Sequence, residues 1–509
     1  MTQPTSTDAG GLSLDESSGR WVLAAMVLGS SLAFIDATVV SIALPAIGAD
    51  LDAGLAGLAW TVNAYTLSLA ALILLGGSLG DRLGRRRIFL VGVVWFACAS
   101  LLCGIAPNLE TLIAARALQG VGGALLTPGS LAILQSAYRP EDRARAIGAW
   151  SGLGGVAGAA GPFLGGWLVD AASWRWIFLI NVPVAVAVVV IATRCVPESK
   201  DPTASRHTDV VGAVLVAIGL GGLTYGLLAW PDAGLGSLSV WLPLLGGVGA
   251  LVAFFVWESR ARMPMLPLGI FSSALFNATN LVTFVVYAAL GGVFFWLVLT
   301  LQVVTGFTPL AAGTALLPIT IVMLALSARA GALGQRVGPR LPMTAGPLLA
   351  AVGVAGLVRI GEDSSYLADV LPAVTVLGLG LALTVAPLTA TALAAAPTNH
   401  AGLASGVNNA VARVAGLMAV AILPVVVGLS GEAYSDPDVL GSAFHTAMWV
   451  CVALLVLGGL LAAVLVRTPA EEQGSPTAGP IEAEASSHHH CSVDAPPLAP
   501  TGPSRGPGA

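Results

Sequence analysis

The sequence predicts an all-α membrane protein: fourteen transmembrane helices, arranged as two parallel six-helix bundles plus two inserted helices. Three observations carry that expectation. Of 509 residues, 56% are hydrophobic and only 10% charged, with mean hydropathy +0.87; a soluble chain carries about 25% charged residues. There is too little polar side chain to coat a water-facing surface. The apolar runs are long and do not alternate, which suits helices rather than barrel strands. Finally, one half of the chain echoes the other.

A hydrocarbon core of ~30 Å needs ~20 helical residues. Such runs fall at 21–47, 58–79, 88–106, 109–136, 147–169, 176–196 and 210–230, then at 238–257, 276–303, 309–330, 341–360, 368–394, 402–429 and 443–466. The first six make an amino-terminal bundle (21–196), the next two an insert (210–257), and the last six a carboxy-terminal bundle (276–466). The leading segment 1–20 holds Asp8, Asp15, Glu16 and a lone Arg20, unlike the basic lead of a signal peptide. The tail 470–509 is rich in Pro, Gly, Ala and Ser and reads as disordered.

Basic residues orient the spans. With the amino terminus in the cytoplasm, eighteen of the twenty-two Lys and Arg residues fall on the cytoplasmic side. Arg175 and Arg359 fall on the other face, and Arg116 and Arg413 lie within spans. Positive charge follows the cytoplasm, so both termini are expected there, in a multi-pass protein of the cell membrane.

The internal repeat is read from loops and glycines. Gly77-Ser-Leu-Gly80-Asp81-Arg82-Leu-Gly84-Arg85-Arg86 follows span 2, and Gly331-Ala-Leu-Gly-Gln335-Arg336-Val-Gly338-Pro-Arg340 follows span 10. Gly120, Gly122 and Ala124 in span 4 recur as Gly378, Gly380 and Ala382 in span 12. Gly148 and Gly158 in span 5 recur as Gly406 and Gly416 in span 13. A shift of eight spans preserves orientation, so spans 1–6 and 9–14 are parallel repeats, the plan of one large class of secondary transporters.

Further motifs lie along the first half. Span 1 carries Asp36-Ala-Thr38-Val-Val-Ser41-Ile-Ala-Leu44-Pro45; span 4 carries Leu112-Ile-Ala-Ala-Arg116-Ala-Leu-Gln119-Gly120. Span 5 carries Gly148, Gly161-Pro162 and Gly165-Gly166, and Trp174-Arg175-Trp176 leads to Asn181-Val-Pro183. With the Gly77–Arg87 loop, this set resembles the major facilitator superfamily, and within it the fourteen-span drug:proton antiporters, from about Trp21 to Val466. Ser41 stands where that family usually has Asn, and Ala157 where it has Gly. The resemblance implies a cytoplasmic gate at Gly77, Gly80, Asp81, Arg82, Gly84, Arg85 and Arg86. It also implies an antiporter motif at Gly148, Gly161, Pro162, Gly165 and Gly166, whose bend favours export. By physics alone, those small residues also permit close helix packing, and Pro162 removes a backbone donor. In the gate loop, Asp81 is placed to pair across the loop or with the positive end of another helix. Gln335 in the second copy makes that latch asymmetric.

Buried charge points to mechanism. Asp36 is the acid placed deep within a span, where a charge costs ~2.5–3.5 kcal/mol on insertion scales. It is either a structural carboxylate satisfied by neighbouring donors or a functional one, and the functional reading is preferred. Asp36 is expected to exchange protons, with Arg116 modulating it; contact between them does not follow from sequence. Candidates for a substrate cavity are Phe34, Asn63, Tyr65, Trp150, Tyr287, Gln302, Asn408 and Arg413. Trp60 and Trp296 are further aromatic candidates, with Trp60, near a span end, better suited to an interfacial anchor. With one deep acid, monovalent cations or neutral compounds are expected as substrates.

Other classes recede. Net charge of -5 argues against nucleic acid. Cys98, Cys103, Cys195, Cys451 and Cys491 lack metal-ligand spacing, and His488-His489-His490-Cys491 reads as incidental. No Gly-x-x-x-x-Gly-Lys-Ser/Thr run is present. The expectation is therefore a transporter rather than an enzyme: a monomer without cofactor or metal, using the proton motive force to export hydrophobic or amphipathic drugs or antibiotics. A specific metabolite or lipid transporter, or a non-transporting sensor, is the alternative.

Overall fold

The computed structural model describes residues 11–201, 209–261, 264–395 and 401–466; the tail 470–509, with His488–Cys491, lies outside the described residues. Among the described residues, fourteen helices are long and apolar enough to cross a membrane. The first bundle comprises α1 (Ser17–Leu51), α2 (Leu55–Leu83), α3 (Arg85–Gly104), α4 (Leu109–Ala137), α5 (Pro140–Ala171) and α6 (Trp176–Cys195). The insert is α7 (Val210–Ala233) and α8 (Leu238–Arg260). The second bundle comprises α9 (Ala274–Val303), α10 (Pro309–Val337), α11 (Arg340–Leu357), α12 (Tyr366–Ala394), α13 (Ala401–Val427) and α14 (Pro437–Leu465).

Several helices run past their apolar cores. The sequence places span 5 at 147–169, yet α5 begins at Pro140, a residue suited to the first helical turn, followed by Glu141 and Asp142 beside the positive helix end. Polar caps fix other starts. Asn108 accepts a hydrogen bond from Thr111 N at 2.9 Å, and Asp209 accepts one from Gly212 N at 2.8 Å.

The helix pairings repeat between the bundles. α1 packs on α5 and α6, as α9 packs on α13 and α14; α4 lies against α2 and α3, as α12 lies against α10 and α11. The repeated glycines explain how. A methyl group at Gly122 would sit 2.7 Å from Phe96 N on α3, and one at Gly380 would overlap the backbone of Ala350 on α11. The repeated loops share a backbone device as well: Gly84 (φ +121°) and Gly338 (φ +83°) both adopt positive φ, which side chains disfavour.

α9 is the most enclosed span and α8 the least, with Leu242, Leu245 and Val252 presenting an apolar outer face. α7 touches both α2 and α13, so the insert spans the seam between the bundles. The bundles also meet through α1–α9, α2–α13 and α5–α10. At the end away from the arginine-rich loops, four hydrogen bonds join them. Leu55 N donates to Gly431 O (2.9 Å), Tyr434 OH to Ala53 O (2.8 Å), Gln302 Nε2 to Ile42 O (2.9 Å) and Leu310 N to Asp170 Oδ2 (3.0 Å).

Candidate transport site

Two chambers lie between the bundles. The larger, about 920 Å³, is walled by α1, α5, α9, α10 and α12; the smaller, about 510 Å³, by α1, α2, α9, α12 and α13. They share Ala37, Ser41, Phe294 and Thr389 and so adjoin. The larger is mostly apolar, with Phe294, Val298, Met323 and Leu324 among its walls. The smaller carries the polar groups Asn63, Thr66, Tyr287, Asn408, Asn409 and Arg413.

Immediately behind the shared wall sits a sealed charge cluster. Asp36 is 0% exposed and Arg116 is 1% exposed. Arg116 Nη1 donates to Asp36 Oδ2 at 2.6 Å and to Gln119 Oε1 at 2.5 Å, and Nε donates to Thr61 O at 3.0 Å. Gln119 lies three residues after Arg116, on the same helix face, and its Nε2 donates to Asp36 Oδ1 at 2.8 Å. The chain continues through Ser100 on α3 to Asn181 on α6, at 3.1 and 2.9 Å. Tyr65 lies under the guanidinium, 4.5 Å from ring centre to guanidinium carbon. Five helices thus converge on one ion pair. The sequence singled out both charges; the pairing itself, and the roles of Gln119, Ser100 and Asn181 in it, come from the fold.

Asp36 does not line either chamber; its neighbours Ala37, Thr38 and Ser41 do. The carboxylate is spent on Arg116 and lends no net charge to either chamber, which removes the support for monovalent cations among the expected substrates and leaves that for neutral compounds. Of the proposed cavity residues, Asn63, Tyr287, Asn408 and Arg413 line the smaller chamber. Phe34, Tyr65, Trp150 and Gln302 do not. Phe34 packs on Trp150 (centroids 6.5 Å apart), whose indole N–H donates to Ser30 Oγ at 2.9 Å. Tyr65 is buried beneath Arg116, and Gln302 joins the bundles at their far end. Trp60 rests against Tyr225 of the insert, and Trp296 is fully buried in α9.

The arginine-rich loop takes the first of the two pairings expected for Asp81. Asp81 pairs across its own loop with Arg85 (2.7 Å). The carboxylate at the positive end of α3 is instead Glu198, which accepts from Arg86 N at 3.1 Å and Arg87 N at 3.2 Å. Arg86 Nη1 also donates to Val196 O at 3.0 Å. The loop is thereby tied to the segment after α6. Arg82 occupies the last turn of α2; a methyl group at Gly77 would rest 3.6 Å from Pro128 Cβ, whereas Gly80 faces open space. Glu198 escaped the sequence reading because no local pattern links it to a loop more than a hundred residues earlier.

The span-5 glycines divide by face. A methyl group at Gly161 would overlap Thr38 Oγ1, and one at Gly165 would lie 2.5 Å from Val39 Cγ2, so both serve close packing on α1. Gly166 faces α10, where a methyl group would meet Pro309 O at 2.5 Å. Pro162 lines the larger chamber, while Gly148 has open space around it.

Comparison with known proteins accords with this geometry. The model of the Major Facilitator Superfamily matches residues 26–420. The tetracenomycin C resistance and export protein of Streptomyces glaucescens is 36% identical over 416 residues, 81% of this chain and 77% of that protein. The puromycin resistance protein of Streptomyces alboniger is 35% identical over 478 residues, 90% of this chain and 94% of that one. Among solved structures, an auto-inhibited peptide transporter of the POT family superposes with TM-score 0.66 at 16% identity, covering 88% of this chain and 97% of its own.

Proposed function

We propose that this chain, which belongs to the major facilitator superfamily, is a proton-coupled antiporter that exports hydrophobic or amphipathic small molecules, antibiotics among them, from the cytoplasm. Relatives across most of its length are named for antibiotic resistance and export. The arginine-rich end is assigned to the cytoplasm by charge distribution. The four hydrogen bonds between the bundles then close the outer side, which suits a state that loads from within.

One observation carries the coupling: a sealed Asp36–Arg116 pair directly behind the cavity wall. In this reading a proton reaches Asp36 only when the bundles rock and α1 parts from α4. Protonation cancels the carboxylate charge and leaves Arg116 without its counter-ion, which is costly in a low-dielectric interior. α1 therefore shifts, and Ala37, Thr38 and Ser41 move the wall that substrate rests on. Loss of the proton restores the pair. No phosphoryl or covalent step is required.

The driving force suffices. One charge crossing ~100 mV supplies about 2.3 kcal/mol, and one pH unit about 1.4 kcal/mol. Together they sustain roughly a several-hundredfold gradient of a neutral solute. Asp36→Asn tests the assignment in proteoliposomes: gradient-driven transport is abolished while substrate exchange without a gradient persists. Unchanged accumulation against a gradient in this variant would refute the coupling role.

A further inference from the structure

The cavity carries a second charge that the coupling pair does not use. Arg413 on α13 is half-buried in the wall of the smaller chamber, with Asn409 Oδ1 3.3 Å from its Nε. Among the described residues it makes no ion pair, and among those lining the two chambers it bears the sole charge. Facing the same chamber is Asn63 on α2, 1% exposed, with neither its amide nitrogen nor its amide oxygen bonded to protein. A buried amide with both ends open is uncommon, because leaving such groups unsatisfied is costly. Two other polar side chains of this chamber are engaged: Thr66 Oγ1 donates to Val62 O at 3.2 Å, and Asn408 Nδ2 donates to Asn280 Oδ1 at 3.1 Å and Thr283 Oγ1 at 2.9 Å.

From this we infer that the transported molecule is an amphiphile with a single anionic group, such as a carboxylate or ionised phenol, received by Arg413 and the Asn63 amide. This deepens the exporter reading and rests on it. The guanidinium offers a planar donor fork that matches a carboxylate and stays charged at any physiological pH. With no second charge among the residues lining the two chambers, its field repels cations and favours anions. The opposing field of Asp36 is cancelled locally by Arg116. The apolar body of the ligand then occupies the larger chamber, against Phe294, Met323 and Leu324. Each chamber, at about 920 and about 510 Å³, lies in the size range of pockets for drug-sized molecules.

Three probes with one aromatic body test this: pyrenebutyrate (anion), pyrenebutanol (neutral) and pyrenebutyl-trimethylammonium (cation). Uptake into respiring everted vesicles containing the full chain is compared with vesicles lacking it. The expected result is protein-dependent, gradient-driven uptake of pyrenebutyrate at least tenfold above the cation. Arg413→Gln erases that preference, Arg413→Lys keeps much of it, and Asn63→Asp abolishes it by placing a carboxylate that offsets the Arg413 charge. Preferential uptake of the cation by the unaltered protein, or an anion preference unmoved in folded Arg413→Gln, overturns the inference and leaves the exporter reading standing. Gradient-driven movement of none of the three by folded protein counts against both.

Discussion

Replacing Arg116 with Met should destabilise the protein by about 3–5 kcal/mol, because it strands a buried carboxylate. The guanidinium makes three hydrogen bonds, to Asp36 at 2.6 Å, Gln119 at 2.5 Å and Thr61 at 3.0 Å. Without it, Asp36 keeps the Gln119 amide at 2.8 Å as its partner among the described residues. Asp36→Asn strands the guanidinium instead and should cost a similar amount. Changing both removes both charges from the interior, so the double variant should be more stable than the sum of the two losses predicts, by about 2–3 kcal/mol. Independent sites would add to within about 0.5 kcal/mol. The assay is reversible unfolding in mixed micelles, followed by tryptophan fluorescence, on all four proteins. A coupling energy under that margin would refute the claim that each charge is held in place by the other.

Other expectations concern packing, the loop and alkaline stability. Gly161→Ala drives a methyl group into Thr38 Oγ1 and should lower stability by about 1–3 kcal/mol; adding Thr38→Ala should recover most of the loss, as read by thermal unfolding in detergent. Glu198→Ala removes the acceptor for two backbone N–H groups at the start of α3, at about 1 kcal/mol; amide exchange at Arg86 and Arg87 should accelerate about fivefold, and unchanged exchange would discount the cap. Burial pushes the Tyr138 phenol up to about 12. The folded state therefore holds this proton where the unfolded chain has released it, so stability falls as pH rises from about 10 to 12. In Tyr138→Phe that part of the alkaline loss should disappear from a pH titration of the unfolding midpoint.

Much of the architecture was legible in the chain because a bilayer imposes one-dimensional rules. Span length, apolar composition and arginine placement each act along the sequence, and the fourteen helices fall close to the apolar runs. The duplicated Gly84 and Gly338 were readable as well, since a positive φ is a local demand. Asp36 and Arg116 stood out because charge inside an apolar run is rare. Asn63 and Arg413 entered the same list only as members of a larger group, and half of the residues proposed for the cavity turned out to be packed elsewhere.

The sequence by itself determined which runs are long and apolar enough to cross a membrane, how the halves repeat and that Asp36 and Arg116 lie deep within spans. Only the tertiary structure decided which buried charge meets which. Helical periodicity fixes the face of a residue relative to its own helix; it says nothing of the neighbour that face meets. Asp36 and Arg116 therefore read as two separate buried charges, and only the packing of α4 on α1 and α2 joins them; Arg413 was one of eight cavity candidates, and only the packing of α13 places it in the chamber wall while Phe34, Tyr65, Trp150 and Gln302 pack elsewhere. The sign of the field a ligand meets is a property of helix packing, set by contacts between residues far apart in the chain.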